Sequence, residues 1–230
     1  MQKTFLRNLQ IGFSLSLVVL IISSVASFIS IRQLQSSNAM VAHTKDVLDA
    51  SDKILSDLKD AETGQRGYLL TGKESFLEPY FNGLKSLPGS LKVAIDLSQD
   101  NPVQTQRFEE LSSIIDIRLN VLTKLVEDKK FGRSYVEADL EIGRQAMEKS
   151  RKIINEIKDT ENALLIERTA SVHRFSNYTT ILIVSAAIIA ILITFFFYLR
   201  VRNDFVERDN LRLSNTVLNV YENIKSNAIA

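Results

Sequence analysis

Residues 32–71 read RQLQSSNAMVAHTKDVLDASDKILSDLKDAETGQRGYLLT, and the reading of the fold starts from their periodicity. Leu34, Val41, Leu48, Leu55 and Leu69 fall on one seven-residue series, flanked by Val47, Ile54, Leu58 and Ala61. That is the apolar stripe of a long helix that buries one face. The series is interrupted at Glu62, four residues before Arg66. A charge on an apolar stripe is costly unless it is paired, so an internal ion pair that fixes helix register is the first reading, and contact with a ligand or partner is the second. Gly64 and Gly67 each cost ~1 kcal/mol relative to alanine inside a helix, which points to close approach of another helix or to a local bend. Gly72 offers a left-handed helix end, and Thr71 with Glu74 reads as a capping box. One helix is therefore expected to stop, and another to begin, near residue 72.

Beyond Gly72, Leu77, Leu84, Leu91 and Ile95 mark a second helix. Asn101 before Pro102 is an N-cap and first-turn pair, opening a third helix with Leu111, Ile115, Leu122 and Leu125 on one side. Gly132 ends it. Ser134 and Glu137 read as another capping box, and the fourth stripe is Leu140, Met147, Ile154, Ile157 and Leu164. No proline follows, so this helix can run on unbroken. Four helices running alternately up and down return the chain to the end where it began.

That return matters because the segment lies between two apolar runs, 8–31 and 175–199, neither carrying a charge. Each exceeds the ~20 residues that cross a bilayer. The second ends in Phe195, Phe196, Phe197 and Tyr198 beside Arg200 and Arg202, the aromatic and basic anchors of a membrane interface. The first could be read as a cleaved signal peptide, with Val25, Ala26 and Ser27 as small residues, but its core is longer than the ~7–15 residues such peptides use, which favours a retained anchor. Lys3, Arg7, Arg200, Arg202, Arg208, Arg212 and Lys225 outnumber the acidic residues of the two ends, which predicts cytoplasmic termini. The expected organisation is all-α: residues 1–8 a short cytoplasmic N-terminus, 9–31 a transmembrane helix, and 32–177 an extracytoplasmic up-down-up-down four-helix bundle. A second transmembrane helix, 178–199, and a cytoplasmic helical tail, 200–230, complete it, in a bacterial plasma (inner) membrane.

Composition removes other classes. Lys plus Arg number 28 against 27 Asp plus Glu, and 45% of residues are hydrophobic, which argues against a basic nucleic-acid binder, an acidic tail protein and a disordered chain. Cysteine is absent, excluding disulfides, thiolate metal sites and a cysteine nucleophile. The two histidines, His43 and His173, do not make a zinc site. Asp46, Asp49, Asp52, Asp57 and Asp60 read as a solvated helix face in preference to a cation site. No catalytic constellation stands out, so neither an enzyme nor a cofactor is expected.

The run Asp60-Ala61-Glu62-Thr63-Gly64-Gln65-Arg66-Gly67-Tyr68-Leu69-Leu70-Thr71-Gly72, followed by Phe76, Leu77, Pro79 and Tyr80, resembles the signature of the third type of CHASE domain. Glu161, Leu164, Leu165 and Arg168 resemble that family's fourth helix. The resemblance covers roughly 32–177. It implies a four-helix extracellular sensory domain between two membrane spans of a bacterial receptor, most members carrying a cytoplasmic kinase, cyclase or chemoreceptor-like output. After Arg200 this sequence has neither a phosphoacceptor histidine nor a glycine-rich nucleotide site, so the implied role is sensing, with the signal passed to a separate histidine kinase or other signalling protein. A scaffolding bundle and the sensor fragment of a truncated histidine kinase are the alternatives. The candidate ligand or signalling residues are Glu62, Gly64, Arg66, Gly67, Tyr68, Glu161 and Arg168. Glu161 and Arg168 form a polar layer near the membrane, either register-setting or a wet hinge; unchanged signalling by Arg168→Leu in a reporter fusion would exclude the hinge. Ala186 and Ala190 are spaced for close helix approach. In the tail, Val206, Leu213 and Val220, with Val217 and Ile224 between, suggest a short coiled coil and hence a homodimer, which tethering in the bilayer would help form.

Overall fold

The structure, a computed structural model, describes the backbone of residues 2–229 and the side chains of residues 7, 10–203, 205–207, 209–217 and 219. Its elements are α1 (Gln2–Thr71), a single 3-10 turn (Glu74–Phe76), α2 (Leu77–Leu97), α3 (Pro102–Lys130) and α4 (Glu137–Ile229). It is all-α, as the periodicities predict, with no strand among the described residues. The tail positions Val220 and Ile224, and the terminal charges Lys3, Arg208 and Lys225, have side chains outside that description. The chain divides into two units, one of residues Ser36–Val172 and one of the segments up to Gln35 and from His173 onward.

In the Ser36–Val172 unit, cross-helix contacts fix the topology. Along α1 and α2, Gly64 lies against Tyr80, Ala61 against Gly83, and Asp57 accepts from Ser90, so the two helices are antiparallel. Tyr80 with Thr123 and Ser98 with Thr105 give the same sense for α2 and α3. Gln104 with Glu161 and Lys124 with Asp139 do so for α3 and α4. Asp52 with Lys158 and Thr44 with Arg168 close the ring between α1 and α4. The result is an up-down-up-down bundle.

Its core has two parts. The larger gathers Val47, Ile54, Leu58, Leu87, Leu91, Phe108, Leu111, Ile115, Met147, Ile154 and Ile157 with their neighbours; the smaller holds Ala61, Tyr68, Leu77, Tyr80, Leu122 and Val126. On α1 the buried centre is Thr44, Val47, Ser51, Ile54, Leu58, Ala61, Gln65 and Tyr68, while the leucine series of the sequence reading lies half-buried one position to the side. Thr44 and Ser51 enter the core because their hydroxyls donate to the carbonyls of Met40 and Val47, four residues back, at 3.2 and 2.8 Å.

The helix ends depart from the sequence reading in two places. Gly72 is left-handed, φ +70°, and its N–H donates to the Tyr68 carbonyl, as a glycine helix end requires. The Thr71–Glu74 capping box does not form: the Thr71 hydroxyl accepts from the Lys73 N–H and donates to the Gly67 carbonyl, serving the end of α1. Likewise α4 opens at Glu137, leaving Ser134 outside it. Asn101 does cap α3, accepting from the Gln104 N–H at 3.4 Å with Pro102 in the first turn. Asp57 corrects the solvated-face reading, being buried between Lys53, which donates at 2.7 Å, and Ser90, at 3.0 Å. The absence of a side chain at Gly83 brings α2 against the Asp57 carbonyl there. Leu140 is 47% exposed rather than core, because it lies in the first turn of α4.

Pro88 sits inside α2, and Gly89 beside it has no atom within 4 Å of where a Cβ would stand. Gly89→Ala is therefore expected to stabilise the bundle by about 0.5–1 kcal/mol. Differential scanning calorimetry should show a Tm rise of about 1–4 °C.

In the other unit, Ser30 and Thr179 hydroxyls meet at 2.5 Å, and Gly12 faces the Phe197 ring so closely that a Cβ would lie 2.5 Å from it. Two helices, Gln10–Thr71 and Glu137–Val217, are each long and apolar enough to cross a membrane. None of either apolar window is buried within the protein. Val206, Leu213 and Val217 of the tail stripe are exposed in the single chain.

Candidate functional site

Glu62 is 9% exposed and lies at the level where the two cores meet: between Leu58 and Tyr68 on α1, with Arg118 between Ile115 and Leu122 on α3. Its carboxylate is the focus of three arginines from three helices. Arg66 Nη2 of α1 stands 3.0 Å from Oε1, Arg118 Nη2 of α3 stands 3.4 Å from the same oxygen, and Arg151 Nη2 of α4 stands 3.9 Å from Oε2. Only the Arg66 partner was legible from helix spacing.

Arg118 is the unusual member. It is buried, and among the described residues its Nε has no hydrogen-bond partner. Gly143 of α4 makes room for it, since a Cβ there would fall 2.5 Å from Arg118 Nη1. Burial pushes the Arg118 guanidinium below its usual range; Glu62 opposes that shift, and Arg66 and Arg151 reinforce it. Arg144, nearby on α4, is already engaged, its Nη2 2.6 Å from Glu141 and its Nη1 2.5 Å from Glu148. With Arg144 close by, the Glu141 carboxyl is held at about 2. Together Glu62, Gln65, Arg66, Arg118, Arg144, Glu148 and Arg151 line a cavity of about 250 Å3, with Leu140 on its wall.

Gly64 and Gly67 are points of close approach between α1 and the start of α2. Their missing side chains admit the chain that enters α2: a Cβ on Gly64 would lie 2.7 Å from the Tyr80 nitrogen and 2.8 Å from the Phe76 carbonyl oxygen, and one on Gly67 would lie 2.5 Å from the Phe76 ring. Tyr68 packs in the smaller core with Leu77, Tyr80, Leu122 and Val126.

Glu161 and Arg168 lie apart from Glu62 in a second polar layer, toward the α2–α3 turn. Among the described residues no ion pair joins them. Glu161 is buried and accepts from Gln104 Nε2 of α3 at 2.9 Å. Arg168 Nη1 donates to Thr44 Oγ1 at 2.6 Å and to the Met40 carbonyl at 3.1 Å, tying α4 to α1. Arg107 extends the layer, donating to Gln104 Oε1 and Thr160 Oγ1.

The sequence reading missed Arg118, Arg151 and Gly143. Each had a positional signal: Arg118 stands three residues after Ile115 and four before Leu122, Arg151 four after Met147 and three before Ile154, and Gly143 four before Met147. Arginines at stripe positions of α3 and α4 are the complement that the Glu62 interruption of α1 calls for.

Among curated proteins, none matches the chain. A solved structure, the sensor domain of a histidine kinase from Rhodopseudomonas palustris, is similar at 28% identity and a TM-score of 0.47, covering 54% of this chain and 98% of that one. The CHASE3 domain family matches residues 37–171, nearly the whole Ser36–Val172 unit, with both polar layers inside it. By that match over more than half its length, the chain belongs to the CHASE3 domain family and carries a sensory domain.

Proposed function

We propose that the chain is the sensory part of a two-span bacterial membrane receptor that binds a stimulus outside the plasma membrane and passes a shift along α4 to a cytoplasmic signalling protein. It acts in this reading by binding and movement, without catalysis. The observation that carries it is the CHASE3 bundle at 37–171, flanked on both sides by apolar helical windows that the protein leaves unburied. Apolar surface of that extent is untenable in water and normal against lipid. α4 supplies the route: it runs without proline from Glu137 to Ile229, and it takes part in both polar layers through Arg151, Glu161 and Arg168. A stimulus biases such a bundle only by binding one arrangement of α4 better than another. Dimerisation through the tail stripe would give that movement a partner to act on.

Orientation is the first test, and a chain without cysteine is suited to it. Single substitutions Lys130→Cys and Asn203→Cys are to be labelled in intact cells with a membrane-impermeant maleimide. Labelling at 130 alone, with 203 reacting only after permeabilisation, is the expected result. Labelling at 203 in intact cells would reject the topology.

One observation favours a second reading, a scaffold that holds envelope partners. Leu70 and Phe131 are 86% and 69% exposed, and Phe76, Phe81, Tyr135 and Val136 are exposed near them in chain position, at the turns α1–α2 and α3–α4. The antiparallel topology puts both turns at one end of the bundle.

A further inference from the structure

Three guanidiniums converge on the single carboxylate of Glu62, and with Arg144, Glu141 and Glu148 beside them the cluster sets four arginines against three carboxylates. A pair that served register alone would need one arginine. Of the three only Arg118 is buried, and a buried charge that is incompletely paired costs several kcal/mol. It shares its acceptor with Arg66 and, among the described residues, keeps Nε unpartnered. Arg151 stands at the longest distance, 3.9 Å, and is half exposed, so it is free to turn toward another anion. Arg144 is excluded from this role by Glu141 and Glu148.

From this arrangement we infer that the cavity beside Glu62 binds a small anion, a carboxylic acid or a phosphate-bearing compound, held between Arg118 and Arg151 with Arg66 on the outer side. The charge fits in sign, since the cluster carries an excess of positive charge and Arg66 and Arg151 open onto solvent. The geometry fits, since a guanidinium presents paired N–H donors to carboxylate or phosphate oxygens and Arg118 retains a donor to spend. The size fits, since about 250 Å3 falls below the ~300–1,000 Å3 of pockets that take drug-sized ligands. Such an anion would draw Arg118 of α3 and Arg151 of α4 together, and a bound state that differs in the placement of α4 is what a sensor needs. That the anion is the stimulus rests on the receptor reading above; that it binds does not.

The test is calorimetric titration of the full chain in lipid nanodiscs with succinate and with inorganic phosphate, in constant chloride. Saturable binding of either, weakened at least tenfold in Arg151→Gln, is the expected result. The two arms separate the sources: heat with succinate alone means a carboxylic acid, and heat with phosphate alone means a phosphate compound. Arg151 is on the surface side of the cluster, so its loss empties no core, and an unchanged melting curve for Arg151→Gln certifies that the variant folds. If neither probe titrates, or if Arg151→Gln binds as the parent does, the site is refuted, and the receptor reading still stands or falls by its own tests. Binding that is lost in Arg151→Gln, yet changes nothing in crosslinking of the tail, upholds the site and counts against the receptor reading.

Discussion

Glu62→Leu is expected to destabilise the bundle by about 3–5 kcal/mol, because it leaves Arg118 buried without its carboxylate. The Arg66 and Arg151 side chains, 72% and 51% exposed, reach solvent and can rehydrate, but the buried Arg118 cannot. The cost thus falls on one side chain, which makes it testable by a cycle. Arg118→Met in the Glu62→Leu background removes the stranded charge and should recover most of the loss, since a buried ion pair exchanged for apolar groups of similar volume is often neutral or better. The measurement is guanidinium denaturation of the full chain in detergent, followed by circular dichroism. An unchanged midpoint for Glu62→Leu would mean that Arg118 finds another partner and that Glu62 is not the hub of the layer.

Gly64→Ala should cost about 1–3 kcal/mol, although alanine is the better helix former by ~1 kcal/mol. The reason is the identity of the atoms it would strike. At Gly64 they are the backbone nitrogen of Tyr80 and the backbone oxygen of Phe76, which move only if α1 and α2 separate. At Gly89 there is nothing to strike, and the sign of the same substitution reverses. Thermal denaturation of the two variants side by side gives the comparison; equal and positive shifts would show that the α1–α2 approach is looser than the structure has it.

Four helices, their order and most of their buried apolar residues were legible because amphipathic periodicity reports burial directly. What misled was the weight that leucine carries. On α1 the centre of the core includes Thr44, Ser51 and Gln65, polar residues that no hydrophobicity pattern selects, so the leucine series one position aside was read as the stripe. The burial of Thr44 and Ser51 depends on hydrogen bonds to the helix itself, such as Ser51 to the Val47 carbonyl, a local satisfaction invisible until the backbone is in place. Capping boxes failed where tertiary contacts set the helix end: Thr71 follows Gly67, whose approach to Phe76 already dictates how the chain turns. The Glu62 pair was anticipated within α1, whereas Arg118 and Arg151 belong to helices whose registers relative to α1 follow from packing alone. Gly64, Gly67 and Tyr68, which stand in the family motif, also take packing positions beside the charged cluster. The same logic separates Glu161 from Arg168: seven residues apart on one face of α4, they each reach a different neighbouring helix.

The central claim, that the bundle reports through α4 to a cytoplasmic signalling protein, is met most directly by crosslinking in intact membranes with the full chain and with a version lacking residues 203–230, followed by mass spectrometry of what attaches. The account predicts that a kinase, cyclase or chemotaxis component is captured by the full chain and lost with the tail. Capture of envelope proteins by both versions, with nothing attached to residues 203–230, would contradict it and leave the bundle as a scaffold.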